Sequence, residues 1–274
     1  HELHAYEIAY RVPVPEILKK LLRSVFLLFE RSLLPFISAV AAVTPQAAKI
    51  YLNKVPHLIV LRNVPEDSLF RKLPRKSKAL SLNPVLITTG TLNRERALKE
   101  IFAALSLLAP GWKGMRLKLF GSFDSRAYEL EIRREISALG IGDFVEINRA
   151  LPFEKMMDKL RESSLGLAVY SPAPNCVAGL PNKIFEFIAA GIPVVASDFP
   201  NYREVIRNCK AGVLVNPRSP ASIASGIEHA LKSAKNNPRK AELSAKKCCE
   251  LYRWSVEVDK LFELYGKLCP AEAA

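Results

Sequence analysis

The stretch "VLITTGTLNRERALKEIFAALSLLA", residues 85–109, decides the fold class of this 274-residue chain. An apolar run ends in a glycine, a short polar turn follows, and the remainder repeats its apolar positions every three to four residues, as a helix does. Similar pairs of an apolar run and a helical pattern recur along the chain. The predicted strands are 85–90, 116–121, 143–147, 165–171, 192–197 and 212–215, and the predicted helices include 96–109, 125–140, 153–163, 201–208 and 220–234. Short strands that alternate with helices predict an α/β fold with a doubly wound, Rossmann-like parallel sheet.

A second, partial α/β unit precedes this sheet. The pattern predicts an amphipathic helix at 16–34, a strand and a helix within 38–54, and a strand ending in a turn at 57–65. The chain also begins at His1 without a methionine, so we expect 1–65 to be the remnant of an N-terminal domain. The predicted organisation is completed by a basic linker at 66–83, a main domain at 84–250 and a C-terminal helix at 251–274 that can pack back on the first lobe.

The chain is strongly basic. Its 40 Lys and Arg residues exceed its 27 Asp and Glu residues by 13, which favours anionic partners such as phosphorylated small molecules, acidic lipid headgroups or nucleic acid. Part of the excess lies in "RKLPRKSK", residues 71–78, which has the composition of a solvated linker. No groove-reading helix or aromatic-interleaved strand motif is recognisable, so nucleic-acid binding is the weaker alternative and no nucleic-acid partner is expected.

Cysteine usage and hydropathy favour a cytoplasmic protein. The five cysteines are odd in number and lack CxxC spacing or histidine partners, so neither a disulfide framework nor a zinc site is predicted. Cys176 lies near the motif described next, but no His or Asn partner is evident, and we interpret it as a bystander rather than a nucleophile. The longest apolar stretch, 32–43, contains Pro35 and is shorter than the ~20 residues that cross a bilayer.

A single carboxylate stands among apolar residues in "GLPNKIFEFIAAGIPVVASD", residues 179–198. We expect Glu186 to be at least half buried and to need partners, because an unpaired buried carboxylate costs several kcal/mol. One candidate partner is Lys183, three residues earlier and at helical contact spacing. The alternative is a ligand whose hydroxyl groups donate to Glu186, while Lys183 and the backbone N–H groups of 180–182 bind an anion at the helix start. Such a pattern suits a ribose joined to a diphosphate.

The same stretch carries a resemblance to a known family. "GLPNKIFEFIAAGIPVVASDFPNYREVI", with "GVLVNP" after it and "GTLNRERALKE" before it, resembles the C-terminal domain of retaining, nucleotide-sugar-dependent GT-B glycosyltransferases of family four. The likeness runs from about Pro84 to Leu268, and its specific centre is a Pro-x-Lys-x-x-Glu helix followed by Ala-Ala-Gly-x-Pro-Val. The resemblance implies a GT-B-like fold in which 84–250 binds the donor nucleotide sugar.

The resemblance also implies roles for individual residues. Glu186 corresponds to the glutamate that binds the ribose hydroxyls, and Arg96 to the basic residue that neutralises the donor phosphate. His1, in "HEL", resembles the histidine near the reacting sugar and is the candidate catalytic residue. The remaining candidates for donor binding are Gly90, Gly179, Leu180, Pro181, Asn182 and Lys183. Two positions depart from the family pattern, since Ala178 replaces an acidic residue and Ala97 replaces a glycine.

The implied reaction moves a hexose from a UDP- or GDP-linked donor to an acceptor hydroxyl with retention of anomeric configuration. Arg96, Lys183 and the helix N-terminus would take the place of a metal, and no Asp-x-Asp occurs in the chain, so neither a metal nor a cofactor is expected. The resemblance implies a glycan or lipid-linked glycan acceptor and a role in polysaccharide biosynthesis. Helix 16–34 has two interpretations, contact with the inner face of the cytoplasmic membrane or packing within the first lobe. The alternative function is a truncated nucleotide-sugar-binding module without turnover.

Overall fold

The computed structural model describes residues 15–70, 83–112 and 114–269. The candidate catalytic residue His1 and most of the predicted basic linker lie outside the described residues. Their roles therefore stay predictions, and the fold and the donor-side candidates are the parts that the structure describes.

The first lobe is small and is built around two parallel strands. Its elements are helix α1 (Glu16–Leu33), a 3₁₀ turn (Leu34–Phe36), strand β1 (Ala39–Ala42), helix α2 (Pro45–Ala48) and strand β2 (His57–Val60). Strand β1 pairs in parallel with β2, so that Ala39 lies opposite His57. Helix α2 begins with a side-chain cap, because Thr44 Oγ1 accepts a hydrogen bond of 3.1 Å from the backbone N–H of Ala47.

The second lobe contains a six-stranded sheet in which all neighbouring strands are parallel. Its strands are β3 (Val85–Thr89), β4 (Arg116–Phe120), β5 (Val145–Asn148), β6 (Leu165–Ala168), β7 (Val194–Ser197) and β8 (Gly212–Val215). Their order is β5-β4-β3-β6-β7-β8, so the chain builds outward on one side of β3 and then returns to build the other side. This order confirms the predicted doubly wound parallel sheet.

Helices cover both faces of this sheet. They are α3 (Leu98–Leu108), α4 (Arg126–Ala138), α5 (Phe153–Glu162), α6 (Pro174–Ala178), α7 (Lys183–Ala189), α8 (Pro200–Cys209), α9 (Pro220–Asn236) and α10 (Lys240–Leu251). Leu86 and Ile87, adjacent in β3, are both fully buried. Leu86 belongs to the apolar cluster formed with α3 and α9, and Ile87 to the cluster formed with α5, α7 and α8. Burial on both faces explains why the strands are apolar at consecutive positions.

The structure corrects several predicted boundaries near the candidate site. The predicted helix 96–109 begins only at Leu98, because residues Arg94–Arg96 form a 3₁₀ turn and Ala97 adopts a left-handed conformation with φ of 46°. The predicted strand 165–171 ends at Ala168, where the chain turns towards α6, a short helix that the sequence pattern did not predict. These local departures from regular structure lie at the carboxyl ends of β3 and β6.

The last helix, α11 (Trp254–Leu268), contacts the first lobe. The backbone N–H of Trp254 donates to the carbonyl oxygen of Pro65 at 3.0 Å. Glu257 is only 1% exposed and accepts a hydrogen bond of 2.9 Å from the backbone N–H of Arg62, while Lys260 forms an ion pair of 2.6 Å with the same carboxylate. A buried charge with these partners fixes the end of β2 to the C-terminal helix.

Candidate functional site

The donor-side candidates lie where the direction of winding of the main sheet reverses. Strands β3 and β6 are neighbours, but the chain continues from β3 to β4 on one side and from β6 to β7 on the other. In open parallel sheets, such a point leaves a crevice beyond the carboxyl ends of the two strands, and ligands bind there. The loop that carries Gly90 and Arg96 starts at β3, and the segment that leads to Lys183 starts at β6.

Gly90 provides open space at the end of β3. Its φ of 98° is strained for any residue with a side chain. A Cβ at this position would lie 3.2 Å from Arg96 Nη2 and 3.8 Å from Lys183 Nζ. The glycine therefore leaves space next to two basic side chains, one from the 3₁₀ turn after β3 and one from the start of α7.

Arg96 is held in place by its backbone and by its side chain. It ends the 3₁₀ turn, and its Nε donates to the carbonyl oxygen of Thr91 at 2.9 Å. Its Nη1 donates to Tyr170 Oη, and its Cζ lies 4.5 Å from the centroid of the tyrosine ring. The same loop is tied to the segment after β6, since the backbone N–H of Ser171 donates to the carbonyl oxygen of Glu95 at 2.8 Å.

Lys183, the first residue of α7, extends back towards β3. It is 7% exposed, and its Nζ donates to the carbonyl oxygen of Thr89. Burial lowers the pKa of Lys183 well below its ordinary value, the charge of Arg96 lowers it further, and the charge of Glu186 acts in the opposite direction. The Arg96 guanidinium and the buried Lys183 amine both lie beside Gly90, and together they form an environment that favours a bound anion.

Glu186 lies one turn further along α7 and is half-buried. Burial raises the pKa of Glu186, an effect that the charge of Lys183 partly offsets. Among the described residues, its carboxylate has no ion pair within 4.0 Å and no hydrogen bond to another group, although Lys183 stands at contact spacing. The lysine instead donates to β3, so the carboxylate oxygens are available to hydroxyl groups of a ligand.

The loop before α7 is fixed from both lobes. The carbonyl oxygen of Ala178 accepts hydrogen bonds from Thr44 Oγ1 at 2.7 Å and from Asn201 Nδ2 at 2.8 Å. Gly179 is held as well, because its N–H donates to the carbonyl oxygen of Asn175 at 2.8 Å. The other candidates of this loop follow directly, with Leu180 and Pro181 half-buried and Asn182 exposed.

A family model described as glycosyl transferases group 1 matches residues 83–233, which is more than half of the chain. The chain belongs to the glycosyl transferases group 1 family. The matched part of this group 1 glycosyltransferase contains the whole six-stranded sheet, and all of Gly90, Arg96, Lys183 and Glu186. The predicted resemblance is thereby confirmed at the level of the group 1 family.

Solved structures show the same fold. Sucrose-phosphate synthase from Thermosynechococcus elongatus is similar to the group 1 glycosyltransferase with a TM-score of 0.71 and 18% identity, over 98% of this chain and 67% of that one. A glycosyltransferase from Rickettsia africae has a TM-score of 0.70 and 16% identity, over 88% and 68% of the two chains. Anabaena HepE in complex with UDP has a TM-score of 0.69 and 17% identity, over 86% and 65%. No curated protein matches the sequence significantly. The fold is GT-B-like, and the chain spans about two thirds of the length of these proteins.

Three residues of the group 1 glycosyltransferase site escaped the sequence reasoning. Tyr170 contacts both cations, while Thr44 and Asn201 hold the loop before α7. Tyr170 lies two residues after the end of β6, a signal that becomes informative only once β3 is known to be the neighbour of β6. The hydrogen bond from Thr44 spans 134 positions of the sequence, and no local pattern predicts such a contact.

Cys176 lies close to the site but is buried within α6. Burial raises the pKa of its thiol to about 12, and Glu95 adds to this effect. A thiol in this state is a poor nucleophile, which agrees with its interpretation as a bystander. Within the described ranges, no three His, Cys, Asp or Glu side chains are grouped closely enough to hold a metal ion.

Proposed function

We propose that this glycosyltransferase moves a hexose from a nucleotide-diphosphate donor to an acceptor hydroxyl, with retention and without a metal. The observation that carries the proposal is the pair of cations at Gly90. Arg96 reaches it from the 3₁₀ turn after β3 and Lys183 from the start of α7, and among the described residues neither forms an ion pair with a carboxylate. Two cationic groups in a crevice of this fold match the charge of a diphosphate.

The main chemical requirement of such a transfer is to stabilise the charge that develops on the diphosphate as the glycosidic bond breaks. Arg96 and Lys183 are already held in position by Tyr170, Thr89 and Thr91, so little reorganisation accompanies the reaction. We assign to these two side chains the role of the electrophile that other enzymes give to a metal ion.

Glu186 is assigned to the ribose. Its half-buried carboxylate lies on the same helix as Lys183, and its oxygen atoms are free to accept hydrogen bonds. Burial disfavours the charged form of Glu186, and hydrogen bonds donated by the hydroxyl groups of a sugar ring would offset that cost. The loop of Gly179, Leu180, Pro181 and Asn182 would contribute backbone N–H groups to the phosphates. His1 stays the proposed catalytic residue near the reacting sugar, on the resemblance alone.

UDP is the first nucleotide to test, because the similar Anabaena protein HepE was solved in complex with UDP. The proposal extends to GDP-linked donors and to glycan or lipid-linked glycan acceptors, with a role in polysaccharide biosynthesis. A thermal-shift screen with UDP, GDP, ADP and CMP tests it. Glu186→Gln should lose the shift that the preferred nucleotide produces, and Glu162→Gln, at an exposed position of α5, should keep it.

Two results would contradict this assignment. If no nucleotide shifts the melting temperature of the wild-type protein, the site does not bind a donor. If Glu186→Gln keeps the full shift with a ribonucleotide, the ribose is held elsewhere.

The alternative of a binding module without turnover predicts the same shifts but neither donor hydrolysis nor transfer. Nucleic-acid binding would instead produce a steeply salt-dependent mobility shift with no response to nucleotides.

We also propose a peripheral contact between α1 and the inner face of the cytoplasmic membrane. The apolar face of α1 is open to solvent, with Ile17 83% and Leu28 65% exposed, and basic residues such as Lys20 and Arg23 occupy its other side. Among the helices of the described ranges, none has the length and apolar character needed to cross a bilayer. Sedimentation with anionic vesicles should recover the wild-type protein, and Ile17→Glu together with Leu28→Glu should abolish the recovery.

A further inference from the structure

A single aromatic ring lies against both cations of the candidate site. The centroid of the Tyr170 ring is 4.5 Å from Arg96 Cζ and 5.4 Å from Lys183 Nζ. The hydroxyl group of the same residue accepts a hydrogen bond from Arg96. The face of a tyrosine ring attracts cations within about 6 Å of its centroid, and the attraction grows when the pair is shielded from water.

Tyr170 is itself rigidly held. It is 7% exposed, and Ser197 Oγ accepts from its backbone N–H at 2.8 Å and donates to its carbonyl oxygen at 2.9 Å. Tyr202 packs edge-on against its ring at a centroid distance of 5.9 Å. Ser197 ends β7 and is fully buried, so the ring is fixed relative to the main sheet.

The ring also counteracts the repulsion between the two cations. Arg96 and Lys183 both face Gly90, and the charge of Arg96 disfavours the charged form of Lys183. Their other hydrogen bonds go to the carbonyl oxygens of Thr91 and Thr89, which flank Gly90 at the end of β3. Tyr170 contacts both cations from the segment after β6, and its ring centroid lies 4.5 Å from one and 5.4 Å from the other, which constrains their separation on that side.

We propose that Tyr170 is a positioning residue that holds Arg96 and Lys183 together as one receptor for two adjacent phosphates, and so makes the site select a nucleoside diphosphate over the monophosphate. The inference rests on the proposed function, because it concerns the donor site of that reaction. A monophosphate can engage the two cations only partly, whereas a diphosphate offers one phosphate to each. Selectivity between the two ligands therefore depends on the spacing that the ring imposes.

Isothermal titration calorimetry with UDP, UMP, GDP and GMP tests the inference. Tyr170→Phe keeps the ring and removes the hydroxyl, and we expect about a 5-fold weaker affinity for the diphosphate with little change for the monophosphate. Tyr170→Leu removes both contacts, and the loss for the diphosphate should reach about 30-fold. Tyr128→Phe is the matched control, because Tyr128 stacks on Arg94 at 5.0 Å and that arginine is ion-paired with Glu131 at 2.5 Å.

A purely structural role for Tyr170 would lower the melting temperature and weaken both ligands by the same factor, which overturns the inference. A double-mutant cycle of Tyr170→Phe with Arg96→Met adds a second readout, and strictly additive losses of diphosphate affinity would also overturn it. A wild-type protein that binds neither UDP nor GDP would contradict the proposed function itself. Wild-type binding with selectivity unchanged in the Tyr170 variants contradicts this inference alone.

Discussion

Binding of a nucleotide sugar should be coupled to the uptake of a proton by Lys183. In the empty site, burial and the charge of Arg96 hold the pKa of Lys183 well below its ordinary value, while Glu186 opposes them. The aromatic ring of Tyr170 and the carbonyl oxygen of Thr89 are its other neighbours. A diphosphate beside the amine favours the charged form, so it raises this pKa again. Each complex should therefore take up as much as one proton.

The sign of the pH dependence follows from this change. Affinity is highest below the empty-site pKa of Lys183 and falls as pH rises through the window between the empty-site and the bound-state pKa. Within that window, the uptake of one proton weakens binding by about tenfold per pH unit, or about 1.4 kcal/mol. The ligand-free protein behaves in the opposite way: an amine with a depressed pKa releases a proton on folding, so the free energy of unfolding rises with pH between the folded-state pKa of Lys183 and its ordinary, unfolded-state value.

Calorimetry in two buffers of different ionisation enthalpy measures the uptake directly. The ligand should be a nucleotide sugar, because both of its phosphates are esterified and neither titrates near neutrality, unlike a terminal phosphate with a pKa of about 6. Lys183→Met should abolish the uptake, and Lys155→Met, at an exposed position of α5, should leave it unchanged. Binding without proton exchange at every pH below the ordinary pKa of a lysine would refute the assignment of Lys183 to the diphosphate.

Three further changes test the geometry of the chain. Gly90→Ala should lower nucleotide affinity at least tenfold, because its φ is 98° and the added Cβ would lie 3.2 Å from the guanidinium of Arg96. Gly142→Ala is the control and should leave the affinity unchanged, because a Cβ added there would meet no neighbouring group within 4 Å. Ala97→Gly relieves the strain of a left-handed residue, which is about 1–2 kcal/mol. The same change removes a buried methyl group and increases the entropy of the unfolded chain, and these two losses together are of similar size. The free energy of unfolding in urea should therefore change by less than about 1 kcal/mol. Glu257→Ala removes the carboxylate that pairs with the backbone N–H of Arg62 and with the side chains of Arg62 and Lys260, so it should lower the free energy of unfolding by about 3 kcal/mol. Glu263→Ala, at an exposed position of the same helix, should change it by almost nothing.

The periodicity of the sequence was sufficient to predict the sheet, but not the details of the site. Strands such as Val85–Thr89 are apolar because both faces are buried, and that pattern can be read without knowledge of neighbours. Glu186 could be singled out because a carboxylate conflicts with its apolar surroundings. The direction of Lys183 could not, because its spacing from Glu186 equally suits an ion pair, and only the position of β3 shows that the amine donates to Thr89.

The two departures from the family pattern have different physical consequences. Ala97 keeps the left-handed backbone that a glycine would adopt more easily, so the turn that carries Arg96 survives the replacement at a cost in strain. Ala178 cannot replace an acidic side chain, but its carbonyl oxygen accepts hydrogen bonds from Thr44 in the first lobe and from Asn201 in the second. A displacement of one lobe relative to the other must stretch one of these two hydrogen bonds or carry the loop before α7 with it. The position of the loop before α7 is therefore coupled to the packing of the two lobes.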